Sequence, residues 1–108
     1  MISYRERVRL HVELLAAPGE QAEYQAKVPA VNVVNELVNQ WFDDLYQPTF
    51  EAFSSEFTAQ ELEHLHQFSQ DFEAVLPSIP DTLALFHASS SSLAVASLAK
   101  QLHQSINW

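Results

Sequence analysis

Apolar residues recur every three to four positions along most of this chain, and this spacing limits the possible folds more than any other feature of the sequence. Between Pro29 and Pro48 the apolar residues fall on one side of a helix and polar residues on the other. The apolar side holds Ala30, Val34, Leu37, Val38, Trp41 and Leu45. The regular spacing outweighs the local β propensity of residues 31–34, so it predicts an amphipathic helix rather than a strand.

Capping residues and prolines locate the ends of the predicted helices. Ser3 with Glu6, and Thr58 with Glu61, have the spacing of capping boxes. Pro29 suits the first turn of a helix, and the serines at 89–92 are typical of a connector that ends in an N-cap. Four longer helices are predicted over residues 4–16, 29–46, 59–76 and 92–105, with shorter ones over residues 19–27, 50–53 and 80–88.

The apolar face of each longer helix must be buried, because a single amphipathic helix is not stable in water. The sequence therefore predicts an all-α fold, a single compact helical bundle of four longer helices and two or three short ones, in one domain over residues 1–108. The chain has one glycine, Gly19, and no cysteine. This composition disfavours hairpin-rich β folds and excludes disulfides, thiolate metal sites, P-loops and dinucleotide-binding fingerprints.

The charge of the chain is strongly acidic and unevenly distributed. Five basic and fourteen acidic residues give a net charge of −9, and three of the five basic residues are Arg5, Arg7 and Arg9. Clustered lysines and arginines are what nucleic-acid phosphates require, so nucleic-acid binding is not expected. The chain also lacks an apolar run long enough to cross a membrane and a visible signal peptide. We therefore expect a cytoplasmic protein, of bacterial origin, that does not bind membranes.

A polar pair in the first predicted helix suggests a ligand site. His11 lies within the apolar face of that helix, and Arg7 lies one turn before it. A buried arginine must be paired with a carboxylate, and Asp44 in the third helix is the candidate partner. The functional interpretation is a pocket in which Arg7 and His11 bind an anion or a small acidic ligand. The structural alternative is a polar contact between helices, with an arginine that extends to the solvent-exposed rim.

A polar stripe on the third predicted helix suggests a contact surface. The stripe holds Asn32, Asn35, Asn39, Phe42, Asp43 and Tyr46. Asparagine is a mediocre helix former, so three asparagines on one face are unexpected. An exposed Phe42 would favour an interface with a partner protein, whereas the structural alternative is an ordinary solvated face.

Neither metal binding nor catalysis is expected from the sequence. His64 and His66 are two positions apart and therefore point to opposite sides of one helix, so they cannot bind one ion together. Glu61 and Glu63 precede them with Glu-x-x-His spacing, but a di-iron site requires another such motif from a different helix, and none of the other histidines has a glutamate three residues before it. We expect no catalytic residues and no cofactor.

Three hypotheses for function follow. The leading one is a small non-enzymatic protein that binds a basic protein partner, as an adaptor or as an immunity or antitoxin protein. Residues 44–48, Asp-Leu-Tyr-Gln-Pro, loosely resemble the Tyr-Tyr-Pro segment of acidic four-helix bacteriocin immunity proteins, but they lack the second adjacent tyrosine. The second is a small-ligand or anion-binding domain that uses Arg7 and His11. The third is a homodimer closed by an exposed apolar strip, for which the tail that ends in Trp108 is the candidate. The structural alternative is that Trp108 folds back onto its own core.

Overall fold

The computed structural model describes residues 2–108, which form an all-α fold around one hydrophobic core. This confirms the predicted fold class. The α-helices are α1 (Tyr4–Leu15), α2 (Pro18–Lys27), α3 (Val33–Asn39), α4 (Glu51–Ser54), α5 (Ala59–Val75), α6 (Leu83–His87) and α7 (Ser90–Ser105). A π-helical segment, Gln40–Leu45, continues α3, and a 3₁₀ turn, Leu76–Ser78, follows α5. No strand occurs within residues 2–108.

Two of the helix starts follow the predicted caps. The Ser3 hydroxyl accepts a hydrogen bond from the Glu6 amide at the start of α1. At the start of α5, Thr58 and Glu61 form both bonds of a capping box. These bonds satisfy backbone amides that have no partner inside the helix, which is why the chain turns into a helix at these residues.

The third predicted helix begins later than Pro29. Residues 28–32 form a turn that the Gln25 side chain holds by donating to the Val28 and Val31 carbonyl oxygens, at 3.2 and 2.6 Å. Asn32 is the N-cap, and its side chain accepts a hydrogen bond from the Asn35 amide. The prediction that Pro29 and Ala30 are helical was therefore wrong, because a side-chain cap determines the start of α3.

The same predicted helix widens after Asn39. Residues 40–45 are π-helical, with the Tyr46 amide donating to the Trp41 carbonyl oxygen, five residues earlier, at 2.9 Å. The helical period used for the prediction does not apply within this segment, because a π turn contains more residues than an α turn. Gln40, Asp44 and Leu45 of this segment line one groove.

The last two helices also differ from the prediction at their starts. Thr82 is the N-cap of α6, so this helix begins at Leu83 rather than at residue 80. Ser89 is the N-cap of α7, so Ser91 and Ser92 are buried helical residues rather than part of a connector.

The core is formed by the apolar faces predicted from the spacing. Trp41 lies at its centre with no exposed surface, and Leu65 on α5 is equally buried. α5 and α7 pack against each other, and α1 packs against α7, so α1 and α5 flank the last helix. The buried residues these helices contribute include Val8, Val12, Leu15, Phe68, Phe72, Val95, Ala99 and Leu102.

Candidate functional site

An open groove lies between α1 and the π segment. Its volume is about 380 Å³, and it brings together the three residues that the sequence suggested as a ligand site. The lining residues are Arg7, Leu10, His11 and Leu14 from α1, with Gln40, Asp44 and Leu45 from the π segment. The spacing on α1 places one face of that helix against the groove. We refer to it below as the His11 groove.

His11 is held in one orientation at the floor of the groove. The side chain is 5% exposed, and Nε2–H donates to the Leu37 carbonyl oxygen at 2.9 Å. Burial lowers the pKa of His11 below its usual value of 6.5, which favours the neutral ring. With the proton on Nε2, the Nδ1 atom carries a lone pair and accepts hydrogen bonds.

The Nδ1 atom of His11 has no hydrogen-bond partner in the described part of the chain, and His11 is one of the residues that line the groove. No group within residues 2–108 forms a hydrogen bond to it, and no unpartnered side-chain nitrogen or oxygen of the described residues is fully buried. The small exposed part of this side chain therefore includes Nδ1. His11 thus presents an acceptor, not a donor, to any ligand in the groove.

The His11 ring packs against the aromatic rings of the core. The imidazole lies parallel to the Trp41 ring, with 6.5 Å between the ring centroids. Trp41 stacks in turn on Tyr46 at 5.4 Å and donates from Nε1 to the Ser69 hydroxyl at 3.2 Å. The packing on Trp41 and the hydrogen bond to the Leu37 carbonyl oxygen together hold the imidazole in this orientation.

Arg7 and Asp44 differ from the prediction. Both are exposed, and no ion pair joins them within the described part of the chain. The Arg7 guanidinium instead lies over the Tyr4 ring, 5.5 Å from its centroid. Arg7 is therefore not a buried arginine paired with Asp44; its exposure matches the structural alternative, an arginine that extends to the solvent-exposed rim.

Gln40 completes the polar lining of the groove. Its Nε2 donates to Glu36 at 2.8 Å, which leaves the side-chain carbonyl oxygen available as an acceptor. The groove therefore contains three kinds of acceptor, an imidazole nitrogen, a carboxylate and an amide oxygen. Arg7 at the rim supplies its only charged donor.

The predicted polar stripe is only partly exposed. Asn35, Asn39 and Asp43 are exposed, and Asn32 is an exposed cap whose side chain also donates to the Asp81 carbonyl oxygen at 2.8 Å. Phe42, expected to be exposed, is half-buried against Phe72 on α5, with 5.2 Å between ring centroids.

Tyr46, another member of the stripe, is half-buried on Trp41, and burial raises the pKa of its hydroxyl. Its hydroxyl also lies 3.3 Å from Nδ1 of His66. α5 therefore covers the aromatic side of the stripe, and only the asparagines and Asp43 remain available for contact.

Arg5 was not predicted to be a site residue, yet its side chain forms more hydrogen bonds than that of any other arginine in the chain. Arg5 donates to both carboxylate oxygens of Glu61 at 2.9 Å, and to the carbonyl oxygens of Glu56 and Asn107 at the same distance. Its guanidinium also contacts the rings of Phe57 and Trp108. We call this group the Arg5 cluster. The capping box that places Glu61 at the start of α5 was the available signal, but the sequence does not reveal that α1 begins beside it.

The C-terminal tail folds back onto the protein. Trp108 is half-buried against the core, and its Nε1 donates to the His103 carbonyl oxygen at 3.1 Å. The exposed tail on which the homodimer hypothesis depended is therefore not observed. The homodimer itself stays a prediction.

The remaining histidines lie apart from one another. Nε2 of His87 donates to the buried Gln21 side chain at 2.9 Å, and Nε2 of His103 bonds to Glu13 at 3.0 Å. Within residues 2–108 no three metal-ligating side chains lie close enough to hold one ion. In the same part of the chain, no helix has both the length and the apolar character needed to cross a membrane.

Comparison of the chain with protein-family models, with curated proteins and with solved structures finds no match.

Proposed function

We propose that this protein acts without catalysis, by binding a basic protein partner. The observation that carries the proposal is that most of its acidic residues are not neutralised within the fold. Eleven of the fourteen have no ion pair within residues 2–108. They are Glu20, Glu23, Glu36, Asp43, Asp44, Glu51, Glu56, Glu63, Asp71, Glu73 and Asp81.

The few cations of the chain do not offset this charge. Arg5 pairs with Glu61, and Arg9 pairs with Glu6 and Glu13. Two of the three N-terminal arginines are thus used inside the fold, which leaves a strongly negative field over the remaining surface. Such a field accelerates association with a basic partner and disfavours acidic ones.

Adaptor, immunity and antitoxin proteins are specific forms of this proposal. In the latter two, the acidic protein covers the basic surface that a toxin uses, and charge complementarity makes the encounter fast. The chemistry of the partner is the same in each form. The identity of the captured protein distinguishes between them.

The test is affinity capture from lysate of the source cells, with the wild-type protein as bait at low and high ionic strength. The matched bait carries Glu20→Gln, Glu23→Gln, Asp43→Asn and Asp44→Asn, which remove four charges at exposed positions. We expect a basic protein to be retained by the wild type at low ionic strength and released at high ionic strength. The variant should retain much less of it.

A specific partner must be distinguished from any basic protein that adsorbs to an acidic bait. The captured protein, once purified, should bind with saturable stoichiometry in calorimetry, and its association rate should fall as salt is added. Retention that is equal for both baits, or binding that does not saturate, would contradict the proposal.

A further inference from the structure

We infer that the His11 groove receives an arginine side chain of the basic partner. The inference rests on the proposed function and assigns a position to the contact. An arginine side chain has a flat guanidinium with five N–H donors and an apolar stem. The His11 groove, at about 380 Å³, has acceptors and apolar walls for both parts.

The acceptors of the groove come from both of its sides. Nδ1 of His11 has no partner within residues 2–108, although the residue as a whole is only 5% exposed. Its lone pair is fixed because Nε2 is bonded to Leu37. Asp44 contributes a carboxylate, and Gln40 contributes a carbonyl oxygen that its bond to Glu36 leaves unused. A guanidinium can donate to several such acceptors at once, whereas an anion has Arg7 as its one charged partner among the lining residues.

The apolar lining suits the stem of the same side chain. Leu10, Leu14 and Leu45 line the groove, and Leu10 is 45% exposed even though it is a large apolar residue. The methylene groups of arginine cover apolar surface of this kind while the charged end reaches polar groups. A small anion would leave this surface exposed to water.

Arg7 is the one cation that faces the groove, and its position is compatible with a bound guanidinium. Its own guanidinium lies over Tyr4 rather than against Asp44. The opposite expectation, an anion site, requires Arg7 as the main ligand. The effect of Arg7→Ala therefore has opposite signs for the two kinds of ligand, because removing a cation strengthens cation binding and weakens anion binding.

The test is an NMR titration of the ¹⁵N-labelled protein with N-acetyl-arginine N-methylamide, whose blocked ends leave the guanidinium as the only charge. Inorganic phosphate serves as the anionic probe, and sodium chloride matches the ionic strength. We expect the arginine probe to shift the Gln40 side-chain amide and the His11 ring resonances, with a roughly millimolar Kd. Long-range ¹⁵N spectra of the His11 ring should show the proton on Nε2 before any probe is added.

Adjacent aspartates provide the matched variants. Asp44 lines the groove, whereas Asp43 is an exposed neighbour that does not. Asp44→Asn should weaken binding of the arginine probe by about tenfold, and Asp43→Asn should change it by less than about twofold. Arg7→Ala should leave the affinity unchanged or increase it. An N-acetyl-lysine N-methylamide probe should bind more weakly, because its ammonium is more strongly hydrated and less well shaped for several acceptors.

Several results would overturn the inference. They are the absence of shifts in the groove, equal effects of Asp43→Asn and Asp44→Asn, tighter binding of phosphate than of the arginine probe, and a proton on Nδ1 of His11. A captured partner whose affinity is unchanged by Asp44→Asn would overturn the groove contact but leave the proposed function intact. Saturable binding of the arginine probe with no basic partner in the lysate would contradict the proposed function but leave the preference of the groove for a guanidinium intact.

Discussion

Two regions of α1 use the same kind of residue in opposite ways. In the Arg5 cluster the guanidinium forms bonds with Glu61, Glu56 and Asn107, so it joins α1 to the start of α5 and to the C-terminal tail. In the His11 groove, two residues further along α1, Arg7 forms no ion pair within residues 2–108. The first region holds the fold together, and the second leaves its polar groups available to a ligand.

The difference indicates where stability and binding reside in this small protein. A polar group that is bonded to several elements contributes to folding, because its loss leaves partners unsatisfied. A polar group with no partner adds little to folding, so it can be changed at small cost in stability. Mutations in the Arg5 cluster should therefore lower the free energy of unfolding, whereas mutations at the rim of the groove should change ligand binding.

The largest effect is expected below the groove rather than at its rim. Trp41 is fully buried and contacts the rings of His11, Tyr46 and Phe68. Trp41→Ala should lower the free energy of unfolding by roughly 3–5 kcal/mol, since it removes the largest buried side chain and leaves a cavity. Leu10→Ala, at the exposed rim, should change it by less than about 0.5 kcal/mol. Urea unfolding followed by circular dichroism measures both.

Equal losses for Trp41→Ala and Leu10→Ala would show that the floor of the groove is not part of the core. The distinction between the buried residues beneath the groove, such as Trp41, and its exposed rim, such as Leu10, would then not hold. Native-like circular dichroism of both variants without urea is the control that makes the two unfolding curves comparable.

The next largest effect separates the two arginines. Arg5→Ala should lower the free energy of unfolding by about 2 kcal/mol, because the charged bond to Glu61 and the bonds to two carbonyl oxygens are lost together. Arg7→Ala should change it by less than about 0.5 kcal/mol, since the guanidinium contacts only an aromatic ring. Both variants remove one positive charge from the same helix, so each is the control for the other. Similar losses in urea unfolding would contradict the comparison.

The sequence predicted the core well because burial depends on periodicity, which is local. The apolar spacing between Pro29 and Pro48 identified Leu37, Trp41 and Leu45, and all three are buried. The capping box at Thr58 located the start of α5, because both of its bonds join residues three positions apart. Such features need no knowledge of the neighbouring helices.

The sequence failed where the outcome depends on which helices meet. Phe42 and Asn39 both fall on the polar side of the predicted helix, but α5 covers Phe42 and leaves Asn39 exposed. Which of Arg5 and Arg7 forms an ion pair depends in the same way on where the start of α5 lies. The π-helical segment Gln40–Leu45 was also not predicted, because no residue type in it identifies such a segment.

The smallest effect is a pH dependence of the Arg5 cluster. The pKa of Glu61 is lowered from 4.5 to about 2, chiefly by its hydrogen bond from Arg5. The hydrogen bond from the Thr58 backbone and the charge of Arg5 lower it further. Because the pKa is lower in the folded state, the ionised carboxylate stabilises the fold above about pH 4.5, and this contribution is lost as the pH falls towards 2. Acid removes only the charge of Glu61, whereas Arg5→Ala also removes bonds to carbonyl oxygens. The stability lost through Glu61 in acid should therefore be smaller than that lost in Arg5→Ala.

Glu61→Gln isolates this contribution from the other titrating groups, including His11, whose lowered pKa also makes the fold less stable in acid. Glutamine keeps the capping-box geometry at the start of α5 but carries no charge at any pH. In thermal unfolding measured between pH 6 and pH 2, the wild type should be more stable than Glu61→Gln at the upper end, and the two should converge as the pH approaches 2. A difference that stays constant over this range would mean that the Arg5 cluster is held by its carbonyl and aromatic contacts rather than by the charge of Glu61.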